Sequence, residues 1–332
     1  MKTFLREQFR LRKVQLSLVV KRFPVWFYVL KWLLVSAVIS IPIGSASAFF
    51  LVSLQWATDM REANEWIIFF LPLGGLAIGS LYHYWGKNVE AGNNLLIDTI
   101  HLPNKERIPF RMMPFVLFGT VATHFFGGSA GREGTALQMA GAIADQFTRP
   151  LRLTLQDRKL LIISAVSAGF GSVFGTPLAG AVFGLEFFLI GRIRYEAILP
   201  AFLGAFFADM VTHAWQVPHT HYHMPEIVPI SPLNIVWSIA AGILFGLCAR
   251  IFSIGIHFVG KFFKTNISFP PFRPLVGGCV LLLIVLLLDV RPYLGLGIPT
   301  IVASFERDLP FYDFALKIAL TVLTLGAGFK GG

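Results

Sequence analysis

The residues best suited to ion chemistry lie in one stretch, Gly127-Gly128-Ser129-Ala130-Gly131-Arg132-Glu133-Gly134-Thr135-Ala136. Apolar runs at 113–126 and 136–147 flank it, which puts the Arg132-Glu133 pair at membrane depth. Charges there are expensive and usually face a cavity, a partner or an ion path. The surrounding glycines let the backbone leave helical space and come close to a small ligand. Thr135 and the apolar run behind it read as the first turn of a helix. Its free N–H groups would point back at whatever sits beside Glu133. A helix N-terminus at that depth is an anion site, and a carboxylate hanging over it competes with the anion. The plainer reading is a tight re-entrant turn in which Arg132 and Glu133 neutralise each other.

The elements that must hold this stretch are membrane helices. The 332 residues are 55% hydrophobic and 14% charged, and the mean hydropathy is +0.68. Apolar runs reach the roughly 20 residues a spanning helix needs, and the alternating ten-residue segments of a barrel are absent. The chain therefore reads as an all-α polytopic membrane protein. Its first 24 residues carry Lys2, Arg6, Arg10, Arg12, Lys13, Lys21 and Arg22 against one Glu, and read as a cytoplasmic topogenic arm. No signal peptide is expected, since no short apolar core with a small-residue cleavage site follows. The net charge of +10 is explained by loop asymmetry better than by nucleic-acid binding. Cys248 and Cys279 sit in apolar runs and imply no metal, disulfide or cofactor.

Taken in order, residues 25–56 form a first apolar run, too long for a perpendicular span. The loop 57–66, with Asp59, Glu62 and Glu65 against Arg61, suits the outside. A second run covers 67–82. Ala91-Gly92-Asn93-Asn94-Leu95-Leu96-Ile97-Asp98 is too short to span and reads as a half-helix with two amides at its N-terminus. Capping accounts for one of those Asn residues without any ligand. A basic connection (Lys105, Arg107, Arg111) leads to the central stretch, and Thr148–Lys159 reads as a cytoplasmic loop. The apolar stretch 160–190 breaks at Gly175-Thr176-Pro177, which predicts two helices meeting at a turn. Gly171/Gly175 and Gly180/Gly184 are small-residue pairs for close packing. Glu186 has no obvious partner.

These elements make a first membrane repeat over 25–211. The loop 212–231 holds four His and no Lys or Arg, which places it outside. Its His219-x-His221-x-His223 alternation resembles a metal pattern but has no carboxylate or Cys at matching spacing. A second repeat, 232–332, follows the order of the first: a short Gly-led segment at Tyr293–Ile301, an apolar run at 314–325, then a glycine cluster. Ala327-Gly328-Phe329-Lys330-Gly331 is the counterpart of Ala130-Gly131-Arg132-Glu133-Gly134. Interrupted segments at matching positions in two halves point to a transporter site at the repeat interface. No helix follows the second cluster, so the second repeat is expected to be truncated.

At these residues the chain resembles the ClC family of chloride channels and anion/proton antiporters. Gly131-Arg132-Glu133-Gly134 looks like the family's G-[KR]-E-G-P, with Thr135 where most members have Pro. Ala168-Gly169-Phe170 through Pro177-Leu178-Ala179-Gly180, and Tyr293-Leu294-Gly295-Leu296-Gly297-Ile298-Pro299-Thr300, look like two further motifs. Gly326–Gly332 resembles the lead-in to a third. Where chloride-selective members have G-S-G-I-P, this chain has Gly92-Asn93-Asn94-Leu95-Leu96. That substitution, with Thr135 after the glutamate, resembles the bacterial fluoride/proton antiporters of the family. The resemblance implies an inverted-topology repeat with broken half-helices, a homodimer with one pore per subunit, and a bacterial inner membrane. It also implies that Glu133 is the external gate, leaving the anion path and carrying the proton when protonated. It assigns anion binding to Gly92, Asn93, Asn94, Leu95, Gly131, Arg132, Gly134, Thr135, Phe329, Lys330 and Gly331. The inner proton-relay glutamate of chloride/proton exchangers would align with Phe187.

Fluoride is smaller and more strongly hydrated than chloride, so a dry site must offer it more or stronger donors. The amides of Asn93 and Asn94, added to helix N-termini, supply these better than one hydroxyl. Fluoride export coupled to proton import is thus the expected function. A chloride channel or chloride/proton exchanger is the alternative within transport. An intramembrane enzyme is the alternative outside it, but there is no H-E-x-x-H and no Ser obviously paired with a membrane His.

Overall fold

The computed structural model describes residues 24–101, 106–188, 194–220 and 229–331. The basic N-terminal arm, Lys105, and His221 and His223 of the His-rich loop lie outside the described residues.

The first apolar run and most of the loop expected at 57–66 form one helix, α1 (Pro24–Ala63). The charges there do not end it, because each finds a helical partner. Gln55 Nε2 donates to Asp59 one turn on at 2.7 Å. Arg61 turns inward, 9% exposed, and pairs with Glu62 at 3.1 Å. At about 1.5 Å per residue, α1 exceeds the roughly 30 Å apolar layer, so it must tilt or overhang. A 3₁₀ turn, Glu65–Phe70, leads into α2 (Leu71–Trp85). The expected half-helix is α3 (Asn93–His101), and α4 (Met112–Phe125) precedes the central stretch.

Helix α5 (Glu133–Asp145) starts two residues before the expected Thr135, so Glu133 and Gly134 belong to its first turn. The 160–190 stretch divides as expected into α6 (Leu155–Phe174) and α7 (Pro177–Phe187). Gly175 caps α6 at φ +67°, a conformation that favours glycine. Thr154 and Asp157 form a reciprocal capping box at its start, so the last residues of the loop expected at 148–159 are helical. There follow α8 (Tyr195–Ala214), α9 (Pro232–Asn266), α10 (Phe272–Leu288), α11 (Ile298–Ala303) and α12 (Asp313–Ala327).

Helix α6 is the centre of the first half: every residue from Leu160 to Gly169 is buried. It meets α5, α7 and α8 through small residues. A Cβ at Gly169 would stand 2.7 Å from the Ala136 carbonyl, and one at Gly180 only 2.6 Å from Gly171 Cα. Gly175 contributes a left-handed cap as well as close packing, since a Cβ there would stand 2.8 Å from the His219 ring. Pro200 has no N–H for the Glu196 carbonyl, and the Tyr28 hydroxyl donates to that carbonyl instead. The second half docks through α10 on α2, where a Cβ at Gly278 would meet Pro72 at 2.7 Å. α9 lies along α12, with Gly326 against Val259.

We expect Gly180→Ala to lower stability by about 1–3 kcal/mol, since its Cβ meets backbone atoms that cannot rotate away. A thermal melt of the purified variant checks this. A melting point equal to wild type would mean that α6 and α7 can separate without cost.

Four helical segments among the described residues are long and apolar enough to cross a membrane. Short helices alternate with them, and both halves run short helix, longer helix, glycine cluster: α3, α4, 127–131 and α11, α12, 328–331.

Candidate functional site

The central stretch is held from three sides. Gly127 has φ +95°, and the Gly128 N–H donates to Thr123 at 2.8 Å, so the chain leaves α4 through a glycine turn. It then pairs with the short Gly-led segment of the other half. The Gly295 N–H donates to Gly128 at 3.1 Å and the Ala130 N–H to Gly295 at 3.3 Å, a parallel bridge. Ser129, buried between them, is held on both its backbone and its hydroxyl. Its N–H donates to Thr324 Oγ1 at 3.2 Å, and its hydroxyl lies 2.9 Å from that of Thr321. Lys317 Nζ donates to Ser129 Oγ at 2.9 Å, to the Tyr293 carbonyl at 3.0 Å and to the Gly295 carbonyl at 2.5 Å. A fully buried His124 completes the cradle, with Nδ1 2.8 Å from the Thr120 carbonyl and Nε2 3.0 Å from the Ala130 carbonyl.

The second glycine cluster closes on the first. A Cβ at Gly331 would lie 2.5 Å from Ala130 Cβ and 3.4 Å from the Gly131 carbonyl. Gly328, at φ +106°, turns the chain out of α12. The Lys330 N–H donates to Thr123 Oγ1 at 3.3 Å.

Glu133 sits on the open end of α5, where its Oε2 accepts the Arg132 N–H at 2.9 Å. The carboxylate thus takes a backbone donor that a helix N-terminus offers to an anion. Arg132 sends its guanidinium over the Phe174 ring, 5.0 Å from the centroid. Gly134 and Thr135 are buried in the first turn, and the Thr135 hydroxyl lies 2.6 Å from that of Thr120. Phe329 is core, its ring tip filling the space beside Gly75 of α2. The Lys330 ammonium lies 4.1 Å from the centre of the Tyr82 ring.

At α3, Gly92 has φ +57° and faces Gln138 of α5, whose amide nitrogen would be 3.4 Å from a Cβ there. Asn93 Oδ1 is enclosed and has no hydrogen-bond partner, whereas Asn94 is exposed. The structure separates two residues that the sequence alone could not rank. Asn93 also lies inside the helix, as its first residue, rather than on the capping position. Leu95 is partly buried beside it.

Sequence reasoning missed Thr120, His124, Ser129, Gln138, Lys317, Thr321 and Thr324. Only Lys317 carried a signal, as a lone charge in the apolar run 314–325. His219 docks on the Gly175 turn, with Nε2 2.9 Å from the Ser172 carbonyl, and stacks on His213 at 5.3 Å. Among the described residues no group of three ligands could hold a metal.

A helical membrane protein whose broken helices from two halves converge on a buried glycine-rich loop, with a titratable carboxylate on a helix N-terminus, has the architecture of an ion transporter. The family of voltage gated chloride channels matches residues 74–332. This chain belongs to that family, a family of transport proteins. The "Chloride/fluoride channel protein" of Pseudomonas syringae pv. tomato is 49% identical over 311 residues, covering 92% of this chain and 69% of that protein. A crystal structure of a CLC-type fluoride/proton antiporter superposes with a TM-score of 0.87 at 33% identity, over 93% of this chain and 78% of that one. A slow cyanobacterial Cl⁻/H⁺ antiporter shares the fold at a TM-score of 0.73 and 22% identity, over 91% and 75% of the two chains.

Proposed function

We propose that this protein exchanges fluoride for protons, exporting the anion as protons enter. One observation carries the reading: the Glu133 carboxylate occupies the Arg132 N–H at the mouth of α5. A charged carboxylate there blocks the anion, and a protonated one loses its hold on the helix end and can leave with its proton. Asn93 supports fluoride. Its enclosed Oδ1 has no hydrogen-bond partner, and turning the amide presents Nδ2 as a donor from the same position. The names of the Pseudomonas protein and of the CLC-type antiporter agree with this reading.

Chloride/proton exchange by the glutamate pattern of the exchangers is disfavoured by Phe187. It belongs to a ladder of rings, 5.3 Å from Phe183 and 4.8 Å from Phe188, with Phe170 and Phe174 beyond. Phenyl rings packed on one another offer no group to relay a proton. Reconstitution of the chain in proteoliposomes, with fluoride and chloride electrodes beside a pH electrode, tests the proposal. Chloride flux exceeding fluoride flux, or fluoride flux without proton movement, would sink it.

The expected assembly is a homodimer in a bacterial cell membrane, with residues 1–24 in the cytoplasm. Leu178 and Val182, 61% and 46% exposed and one turn apart on α7, are apolar residues on one face that a partner subunit could cover. Loop charge sets the orientation. Met60→Cys should react with an impermeant thiol reagent from outside, and Leu155→Cys and Thr265→Cys only from inside. Labelling of position 155 from outside would invert the topology.

A further inference from the structure

The carboxyl end of α5, the amino end of α6 and the segment 106–111 bring Arg107, Arg149 and Arg158 together around one buried acid, Asp145, while Asp157 pairs away from them with Lys31 and Glu106 is exposed. Asp145 is fully buried and already saturated. Arg158 donates to its two oxygens from Nε and Nη2, each at 2.7 Å, the Ile108 N–H donates at 2.8 Å, and the Thr148 hydroxyl at 3.0 Å. Arg107 and Arg149 share this neighbourhood without sharing the acid. Burial, then the charges of Arg149 and Arg158, hold the Arg107 guanidinium below its ordinary range, against the pull of Asp145. Arg107 Nη2 is enclosed and has no acceptor. An enclosed cationic donor without an acceptor is costly, and a bound oxyanion removes that cost.

The surroundings say which kind of oxyanion fits. Phe110, 54% exposed, follows Arg107 by three residues, and Leu151 and Leu155, 36% and 51% exposed, follow Arg149 by two and six, so exposed apolar residues alternate with the arginines along these two segments. A soluble phosphate gains nothing from them, whereas a phospholipid lays its chains along apolar surface and its phosphate against guanidinium groups. From this juxtaposition we infer that Arg107 and Arg149 bind the phosphate of an anionic phospholipid headgroup. The site is separate from the ion site and does not depend on which anion crosses.

The test uses the purified full chain in detergent with phosphatidylcholine, titrated with phosphatidylglycerol, with bound lipid counted by native mass spectrometry. Arg149→Gln should weaken phosphatidylglycerol binding about fivefold, and Arg107→Gln with Arg149→Gln about thirtyfold, leaving phosphatidylcholine unchanged. Lys261→Gln with Lys264→Gln removes the same charge from the end of α9 and should change it less than about twofold. Wild-type affinity in the arginine variants, or an equal loss in the lysine control, overturns the assignment. Displacement of the lipid by an equal concentration of inorganic phosphate overturns the lipid and leaves a free-phosphate site. Arg149 is exposed, so the single variant decides the matter if the double variant fails to fold.

Discussion

Glu133→Gln is expected to abolish proton movement coupled to anion flux. The structure makes this a clean substitution. The glutamine carbonyl oxygen can still accept the Arg132 N–H that Glu133 Oε2 accepts at 2.9 Å, so α5 keeps its start. What disappears is the titrating proton, which an amide cannot carry. The charge at the helix mouth disappears too, so an anion no longer competes with a carboxylate for that N–H. Anion flux should therefore persist or rise while the pH electrode reads no coupled proton. Undiminished coupling would reduce Glu133 to a structural residue and move the proton path elsewhere.

Asn93→Ser should lower fluoride flux relative to chloride. Losing one donor to a desolvated anion costs about 1.5–3 kcal/mol, or about one to two decades in the flux ratio. Capping predicts the opposite, since Ser caps a helix nearly as well as Asn and would leave both stability and selectivity unchanged. The geometry favours the anion reading: Asn93 is the first helical residue, and its enclosed Oδ1 accepts nothing. Asn94→Ala should have the smaller effect because Asn94 is exposed. The measurement is the fluoride-to-chloride flux ratio of each variant beside its thermal stability. A normal fold with an unchanged ratio in Asn93→Ser would put selectivity in other residues.

Much of the fold is local physics and could be read from the chain. Hydropathy alone requires membrane helices, because in an apolar layer the backbone must satisfy itself. Pro177 cannot continue a helix and Gly175 can adopt positive φ, so the break between α6 and α7 is written at those positions. The half-helix at Asn93 and the glycine turn before Glu133 are legible for the same reason.

The cradle of the site is not legible, because its bonds join residues far apart in the chain. Ser129 looks like a linker residue until Thr321, Thr324 and Lys317 close on it from nearly two hundred residues away. Lys317 alone is an anomaly in an apolar run, and three oxygen acceptors make it a strut. Arg61, counted as loop charge in the sequence, lies inside because the fold brings the His124 carbonyl within 3.5 Å of its Nη1, while the exposed Glu62 beside it pairs with its Nη2 at 3.1 Å. Sequence by itself determined that the apolar segments are helices, where Gly and Pro break them and where a carboxylate meets a helix end, because φ preference and hydropathy act within a few residues. It did not determine how far α1 and α6 run into the charged segments at 57–63 and 155–159. Only the tertiary structure decided which buried polar groups pair across the two halves, because that choice is made by the geometry of packed helices after their sequence neighbours have been left behind.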